Sequence, residues 1–270
     1  MTAIIKKIKF SKLYTLDSNP AITHKDHSDN SLYVSDKAAY QNVLDALNNS
    51  DHSQFIQLVT MQNHAPYDDY YANNQFREAD VSQLSDDEKW AIDSYVKGIN
   101  LTDQATEDFL NQLNSMDKPI TVIFYGDHLP GIYTTAASDK DNTTVLHETD
   151  YFIWSNQASA SASIKLDQQT ANYTSSNYFM ALAAEYMNAK ISPYLEMLTQ
   201  TQIPAISRLV SSNNSWGDGS ATYLDANGNR IKRKDLSQKA KQLLDDYRLV
   251  QYDMTKGKGY LNDYDFFAVQ

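Results

Sequence analysis

Pro119-Ile120-Thr121-Val122-Ile123-Phe124-Tyr125-Gly126-Asp127-His128-Leu129-Pro130-Gly131 is the stretch whose reading decides the fold. Its apolar, β-branched first half has the length and composition of a buried strand, and the glycine and prolines after it end the strand in a turn. A second run upstream reads the same way: Gln54-Phe55-Ile56-Gln57-Leu58-Val59-Thr60 passes straight into Met61-Gln62-Asn63-His64-Ala65-Pro66-Tyr67. Between the two, Ser85-Asp86-Asp87-Glu88 fits a capping box. Trp90, Ala91, Tyr95, Ile99, Ala105, Phe109 and Leu113 then recur at helical spacing, with Gly98 a place for a bend or a division. Strand, long helix, strand is the crossover unit of a parallel sheet.

The same alternation extends outward. A short strand is expected near 13–16, then the turn Ser18-Asn19-Pro20, a polar loop over 21–30, and a helix over 36–47 capped by Ser35 with Ala39, Val43, Leu44 and Leu47 on one face. A third strand is expected over 151–154 and a helix around 177–187. From Ser211 the chain turns polar and glycine-rich; Asp225-Ala226-Asn227-Gly228 suggests a hairpin tip, and 236–250 a last amphipathic helix. The expected class is α/β, a mostly parallel sheet flanked by helices over 1–210, with a C-terminal appendage over 211–270.

Composition narrows the function. With 270 residues and 41% hydrophobic side chains there is enough material for a real core. A formal net charge of −11, with no basic block, argues against nucleic acid as a partner. The absence of cysteine removes disulfides, thiolate metal sites and cysteine nucleophiles. MTAIIKKIKF lacks the apolar stretch of a signal peptide, and no window reaches the roughly 20 apolar residues of a membrane span. The chain is therefore expected to be soluble, with any membrane attachment through a segment upstream of it.

In open α/β sheets the ligand crevice lies outside the carboxyl ends of the strands. One expected strand delivers His64 there and its crossover partner delivers Asp127 and His128. A carboxylate beside an imidazole, after a glycine that allows an unusual turn, suits Zn²⁺ or Mn²⁺ better than Ca²⁺. The alternative is an Asp-His pair closing a hydrogen-bonded turn after a core strand.

Val122-Ile123-Phe124-Tyr125-Gly126-Asp127-His128-Leu129-Pro130, together with Thr60-Met61-Gln62-Asn63-His64-Ala65-Pro66-Tyr67, resembles the lipoteichoic acid synthase family. These are phosphoglycerol transferases of the alkaline phosphatase and sulfatase superfamily, and the resemblance runs from about Lys12 to Ile206. It implies that Asp127 and His128 are ligands of a catalytic Mn²⁺, with Zn²⁺ or Mg²⁺ possible, and that His64 contacts phosphate. Asn63 and Tyr67 become candidates for substrate binding. The implied reaction moves glycerol phosphate from phosphatidylglycerol, or acts on another anionic ester, at the extracellular face of a bacterial, Gram-positive membrane, and delivers it to a cell-wall polymer. The implied threonine nucleophile and glutamate ligand belong to the first strands of such a domain, and no segment before His64 carries either motif. Nor is the family's Trp-containing substrate motif present, since the first tryptophan is Trp90. The chain thus reads as the C-terminal part of a sulfatase-like domain lacking its N-terminal strands, inactive alone. A phosphodiester or sulfate-ester hydrolase and a non-catalytic module binding a glycan or glycerol phosphate polymer are the alternatives.

Other residues have plainer expectations. His24 and His27 have a His-x-x-His spacing but sit in a polar loop, His147 precedes the third strand, and His52 stands at a helix end. Tyr67, Tyr70 and Tyr71 follow His64 and offer apolar faces with hydroxyls, which suits polyols as well as packing. Asp86, Asp87 and Glu88 match the charge preference of a helix N-terminus.

Overall fold

A computed structural model describes residues 10–76, 83–207 and 221–269. Two compact units divide the chain: one takes residues up to 116 together with 129–143, the other 117–128 together with 144 onward. The expected boundary at 210/211 lies outside the described residues.

The first unit is built on two helices. α1 (Asp36–Asn48) starts where Ser35 accepts the Ala38 N–H, as its sequence predicts. α2 (Asp86–Asn114) starts with the full Ser85–Glu88 capping box and runs unbroken through Gly98. That glycine serves packing: a Cβ there would stand 2.4 Å from Asn63 Oδ1 and 3.1 Å from the Tyr71 hydroxyl. Tyr40 of α1 stacks on Phe109 of α2 with ring centroids 4.6 Å apart, and its hydroxyl meets Thr106 Oγ1 at 3.0 Å. Leu44, Ala105 and Leu113 complete this core, whereas Trp90 and Ile99 of the same helix are exposed.

In the second unit, β1 (Thr121–Tyr125) and β2 (Tyr151–Ser155) pair antiparallel, Phe124 opposite Phe152 with their rings stacked at 5.0 Å. After a single 3₁₀ turn, α3 (Phe179–Tyr186) buries Ala181, Leu182, Ala183 and Ala184, so close helix approach there rests on small side chains. α4 (Pro193–Thr201) adds Leu198 to the core with Tyr178 and Ala181. β3 (Ala205–Ser207), β4 (Ala221–Leu224) and β5 (Arg230–Ile231) form a small antiparallel sheet whose β4–β5 hairpin turns at Gly228, φ 79°, as the Asp225–Gly228 tip predicts. α5 (Gln238–Thr255) follows, with a 3₁₀ helix over Tyr260–Tyr264 after it.

Two expectations are corrected. The α/β class holds, but among the described residues every strand pair is antiparallel and the sheets have two and three strands. The intended parallel partner is the reason: 54–60 forms no strand, and Phe55 (66% exposed), Val59 and Leu58 face solvent. An apolar run becomes a strand only where a ladder partner satisfies its backbone, and none of the described residues provides one. The expected strand near 13–16 is likewise irregular, with Tyr14 and Leu16 exposed. None of the described helices is long and apolar enough to cross a membrane.

Candidate functional site

In the first unit, Asn63, His64 and Tyr67 share one turn instead of a strand end. The His64 N–H bonds back to the Met61 carbonyl at 3.0 Å, and the Ala65–Pro66 peptide is cis. The His64 ring is set by its neighbours. Nδ1 lies 2.8 Å from the Ala65 carbonyl oxygen, and the Tyr33 hydroxyl donates to that same oxygen at 2.7 Å. A carbonyl can only accept, so Nδ1 carries a proton; Tyr33, whose hydroxyl oxygen lies 3.3 Å from Nδ1, has its own proton turned to Ala65. Nε2 is thereby the ring nitrogen presented to a ligand on an exposed side chain.

Tyr67 is half-buried, donates to the Asn63 carbonyl at 3.1 Å and meets Tyr95 edge to face. Burial, then the nearby hydroxyls of Tyr95, Tyr133 and Tyr33, push its phenol up to about 12, so it stays a neutral donor and acceptor. Asn63 is turned inward: its amide nitrogen donates to Thr102 Oγ1 at 2.8 Å. Of the other tyrosines named above, Tyr71 is buried and Tyr70 half-buried.

In the second unit, Asp127 and His128 follow β1 directly. The Gly126 N–H donates to the Asp150 carbonyl at 3.2 Å and the Thr149 hydroxyl donates to the Gly126 carbonyl at 2.7 Å, pinning the tip of β1. Gly126 is not in the left-handed region, which corrects the expected reason for a glycine here; a Cβ would meet Thr149 at 3.1 Å. Asp127 Oδ1 accepts the His128 N–H at 2.9 Å, while Oδ2 faces His128 Nε2 at 3.7 Å. The chain bends at Asp127. Two donors on one tetrahedral ion, each at roughly 2.1 Å, stand about 3.4 Å apart. The observed 3.7 Å is close to this, and the side chains, 80% and 71% exposed, are open to solvent. The pair fits a divalent ion as two of its ligands, and among the described residues no group of three His, Asp or Glu side chains completes a set.

The remaining candidates have structural partners. His24 Nε2 meets Asp45 Oδ2 of α1 at 2.9 Å and His27 Nδ1 meets the Ser31 carbonyl at 2.8 Å, so the His-x-x-His spacing pins a loop. His147 is half-buried in a 3₁₀ turn, and His52 is exposed. Glu88 adds to its capping role by accepting the Thr135 N–H at 2.7 Å and hydroxyl at 2.6 Å, which holds its carboxyl down to about 2. Tyr33 and the buried Asp36 escape sequence reasoning: Ser35-Asp36 carries only the signal of a helix start, and nothing local marks Tyr33 as a neighbour of His64.

The sulfatase family profile matches residues 3–189. Relatives include a protein named for cyclic beta-1,2-glucan modification from Rhizobium meliloti (strain 1021), 22% identical over 275 residues, 96% of this chain and 39% of that protein. Capsular polysaccharide biosynthesis protein RkpI of the same organism is 31% identical over 146 residues, 53% of this chain and 23% of that protein. Among solved structures, the chain is similar to Streptococcus pyogenes phosphoglycerol transferase GacH in complex with sn-glycerol-1-phosphate, with TM-score 0.74 and 30% identity, covering 100% of this chain and 61% of that one. The chain therefore spans less than two thirds of the length of each of these proteins. The resemblance drawn from the two motifs holds at the level of the superfamily and of the phosphoglycerol transferase fold. With more than half of its residues matched by the family profile and its fold shared over its whole length, the chain belongs to the sulfatase family.

Proposed function

We propose that the protein containing this chain transfers glycerol phosphate from phosphatidylglycerol, or a similar anionic ester, to a polymer at the outer face of a bacterial cell membrane. Asp127 and His128 supply two ligands to a divalent ion, Mn²⁺ in the first place and Zn²⁺ or Mg²⁺ as alternatives. One observation carries this reading: the Asp127–His128 pair at the end of β1, Oδ2 to Nε2 3.7 Å, lies in a chain 30% identical over its whole length to a phosphoglycerol transferase bound to sn-glycerol-1-phosphate. Relatives named for glucan modification and capsular polysaccharide biosynthesis support a glycan as the polymer.

Bound there, such an ion supplies Lewis-acid polarisation of a phosphoryl oxygen. The chain's own residues do the rest of what can be assigned to it. His64 offers Nε2 to a phosphate oxygen, as a donor when the ring is protonated, because Nδ1 is already committed to Ala65. Tyr67, kept neutral, offers its phenol and ring to a glycerol or sugar hydroxyl. No residue of this chain is assigned as the nucleophile, so the isolated chain is a binding half and is expected to be inactive.

The test is calorimetry on the 270-residue chain. Mn²⁺ is expected to bind the wild type, to lose its heat in Asp127→Ala and to keep it in His64→Ala. With Mn²⁺ present, sn-glycerol-1-phosphate is expected to bind more weakly in both variants. Phosphate-ester binding that survives chelation and Asp127→Ala would overturn the enzymatic reading in favour of a non-catalytic binding module. Release of free glycerol phosphate without transfer, in the whole protein, would make it a hydrolase.

A further inference from the structure

Beneath the His64 turn lies a polar hub that folding alone does not call for. Asp36, at the first position of α1, is 1% exposed. A carboxyl at that position normally sits in water and gains from the helix dipole there. Here Oδ2 accepts from the Thr102 hydroxyl at 2.6 Å, and Oδ1 is buried without a hydrogen bond of good geometry. Burying a carboxyl so incompletely satisfied is costly and asks for an explanation.

The bookkeeping of the hub supplies one. Thr102 has one hydroxyl proton and two lone pairs. The proton goes to Asp36, so the oxygen must accept, and it does so twice: from Gln62 Nε2 at 3.1 Å and from Asn63 Nδ2 at 2.8 Å. Gln62, also buried, is then used completely. Its Nε2 donates in addition to the Gly98 carbonyl at 3.2 Å, and its Oε1 accepts the Asp36 N–H at 3.0 Å and the Ser28 hydroxyl at 3.2 Å. Both amides next to His64 are thus oriented by one hydroxyl, and that hydroxyl is oriented by one carboxyl. Burial also raises the Asp36 carboxyl above its ordinary range, against the opposing pull of Thr102, Thr60 and the Gln62 backbone.

We propose that Asp36 is a positioning residue: through Thr102 it fixes the side chains of Gln62 and Asn63, and so the place from which His64 presents Nε2. The inference deepens the reading of His64 as a phosphate contact and rests on it. The network is contained within the first unit and uses residues of α1, α2 and the 61–64 turn.

The test reads the His64 ring by nuclear magnetic resonance on the full chain, with inorganic phosphate as the probe and thermal unfolding alongside. Thr102→Val, which keeps shape and removes the hydroxyl, is expected to move the His64 ring signals and to weaken phosphate binding about tenfold or more. Thr102→Ser and Asp36→Asn, which keep the hydroxyl and an acceptor for it, are expected to leave both close to the wild type. Tyr40→Phe removes a hydroxyl that meets Thr106, one helical turn from Thr102, without touching the Thr102–Asp36 bond, and is expected to lower stability without moving the His64 signals. His64 signals and phosphate affinity unchanged in folded Thr102→Val would overturn the proposal. Absence of any phosphate effect on the wild-type His64 ring would instead overturn its reading as a phosphate contact, while the ring signals of the variants would still judge the positioning.

Discussion

The two candidate regions, one in each unit, are built in opposite ways. The His64 turn stands on a buried hub in which Gln62 makes four hydrogen bonds, so its geometry is set before any ligand arrives. At the Asp127–His128 tip both side chains are well exposed, and Asp127 Oδ1 accepts the His128 N–H. A preorganised group keeps its position in water at the expense of fold stability. An open pair costs the fold nothing and acquires strength only when an ion draws its donors together. Substitutions should therefore differ in kind: under the His64 turn they are felt in phosphate binding and stability, at the β1 tip in ion binding with little change in stability.

The strongest way to break this contrast is to damage the helix pair that carries the hub. Leu113, among the most completely buried side chains, sits at the end of α2 in the core shared with Tyr40 and Phe109. Leu113→Ala is expected to cost about 3 kcal/mol in urea unfolding and, by loosening α2 under Gln62, to weaken phosphate binding. Stability lost with binding intact would mean that the turn does not depend on the helix beneath it. Gly98→Ala comes next. Its new Cβ would stand 2.4 Å from Asn63 Oδ1, so the cost is expected to be about 1–3 kcal/mol from overpacking. The same change would push Asn63 off Thr102, which joins the stability effect to the site.

This division also explains what was legible in the sequence. Helices announced by local chemistry formed as read: Ser35 and Ser85 cap where their spacing places them, and the Asp225–Gly228 tip turns a hairpin. Strands depend on a partner that composition does not name. The 119–125 run found one in β2, five residues in antiparallel register, while the equally apolar 54–60 run stays unpaired among the described residues. Asp127 and His128 could be paired from the sequence because adjacent residues need no tertiary contact to be neighbours. The hub was not, because Asp36, Gln62 and Thr102 lie far apart in the chain and each is unremarkable alone. Asn63 shows the limit best: beside His64 it reads as a substrate contact, yet its amide points to Thr102.

Two carboxyls of the first unit sharpen the contrast by pH. Glu88 is held at about 2 by hydrogen bonds from the Thr135 hydroxyl and N–H, below its ordinary value of 4.5. Its contribution is thus complete above the ordinary value and is lost as pH falls toward about 2. Asp36 is shifted the other way by burial, so the unfolded chain ionises first and stability falls as pH rises from 3.8 through the higher folded value. Melting temperatures followed through this acid range are expected to fall less on acidification in Glu88→Gln than in the wild type. In Asp36→Asn they are expected to fall more, because the relief that protonation of Asp36 brings is gone. Parallel curves in all three proteins would contradict both assignments.

The smallest expected effect is the most discriminating. Asp127→Asn keeps the acceptor for the His128 N–H and removes one exposed charge, 3.7 Å from the imidazole. Exposed ion pairs contribute little because water screens them and ordering two side chains costs entropy. The unfolding free energy is therefore expected to change by no more than about 0.5 kcal/mol, while Mn²⁺ affinity, which needs the anionic oxygen, drops sharply. A large loss of stability in Asp127→Asn would show that the tip is part of the scaffold. The difference between the two regions would then be one of exposure and not of function.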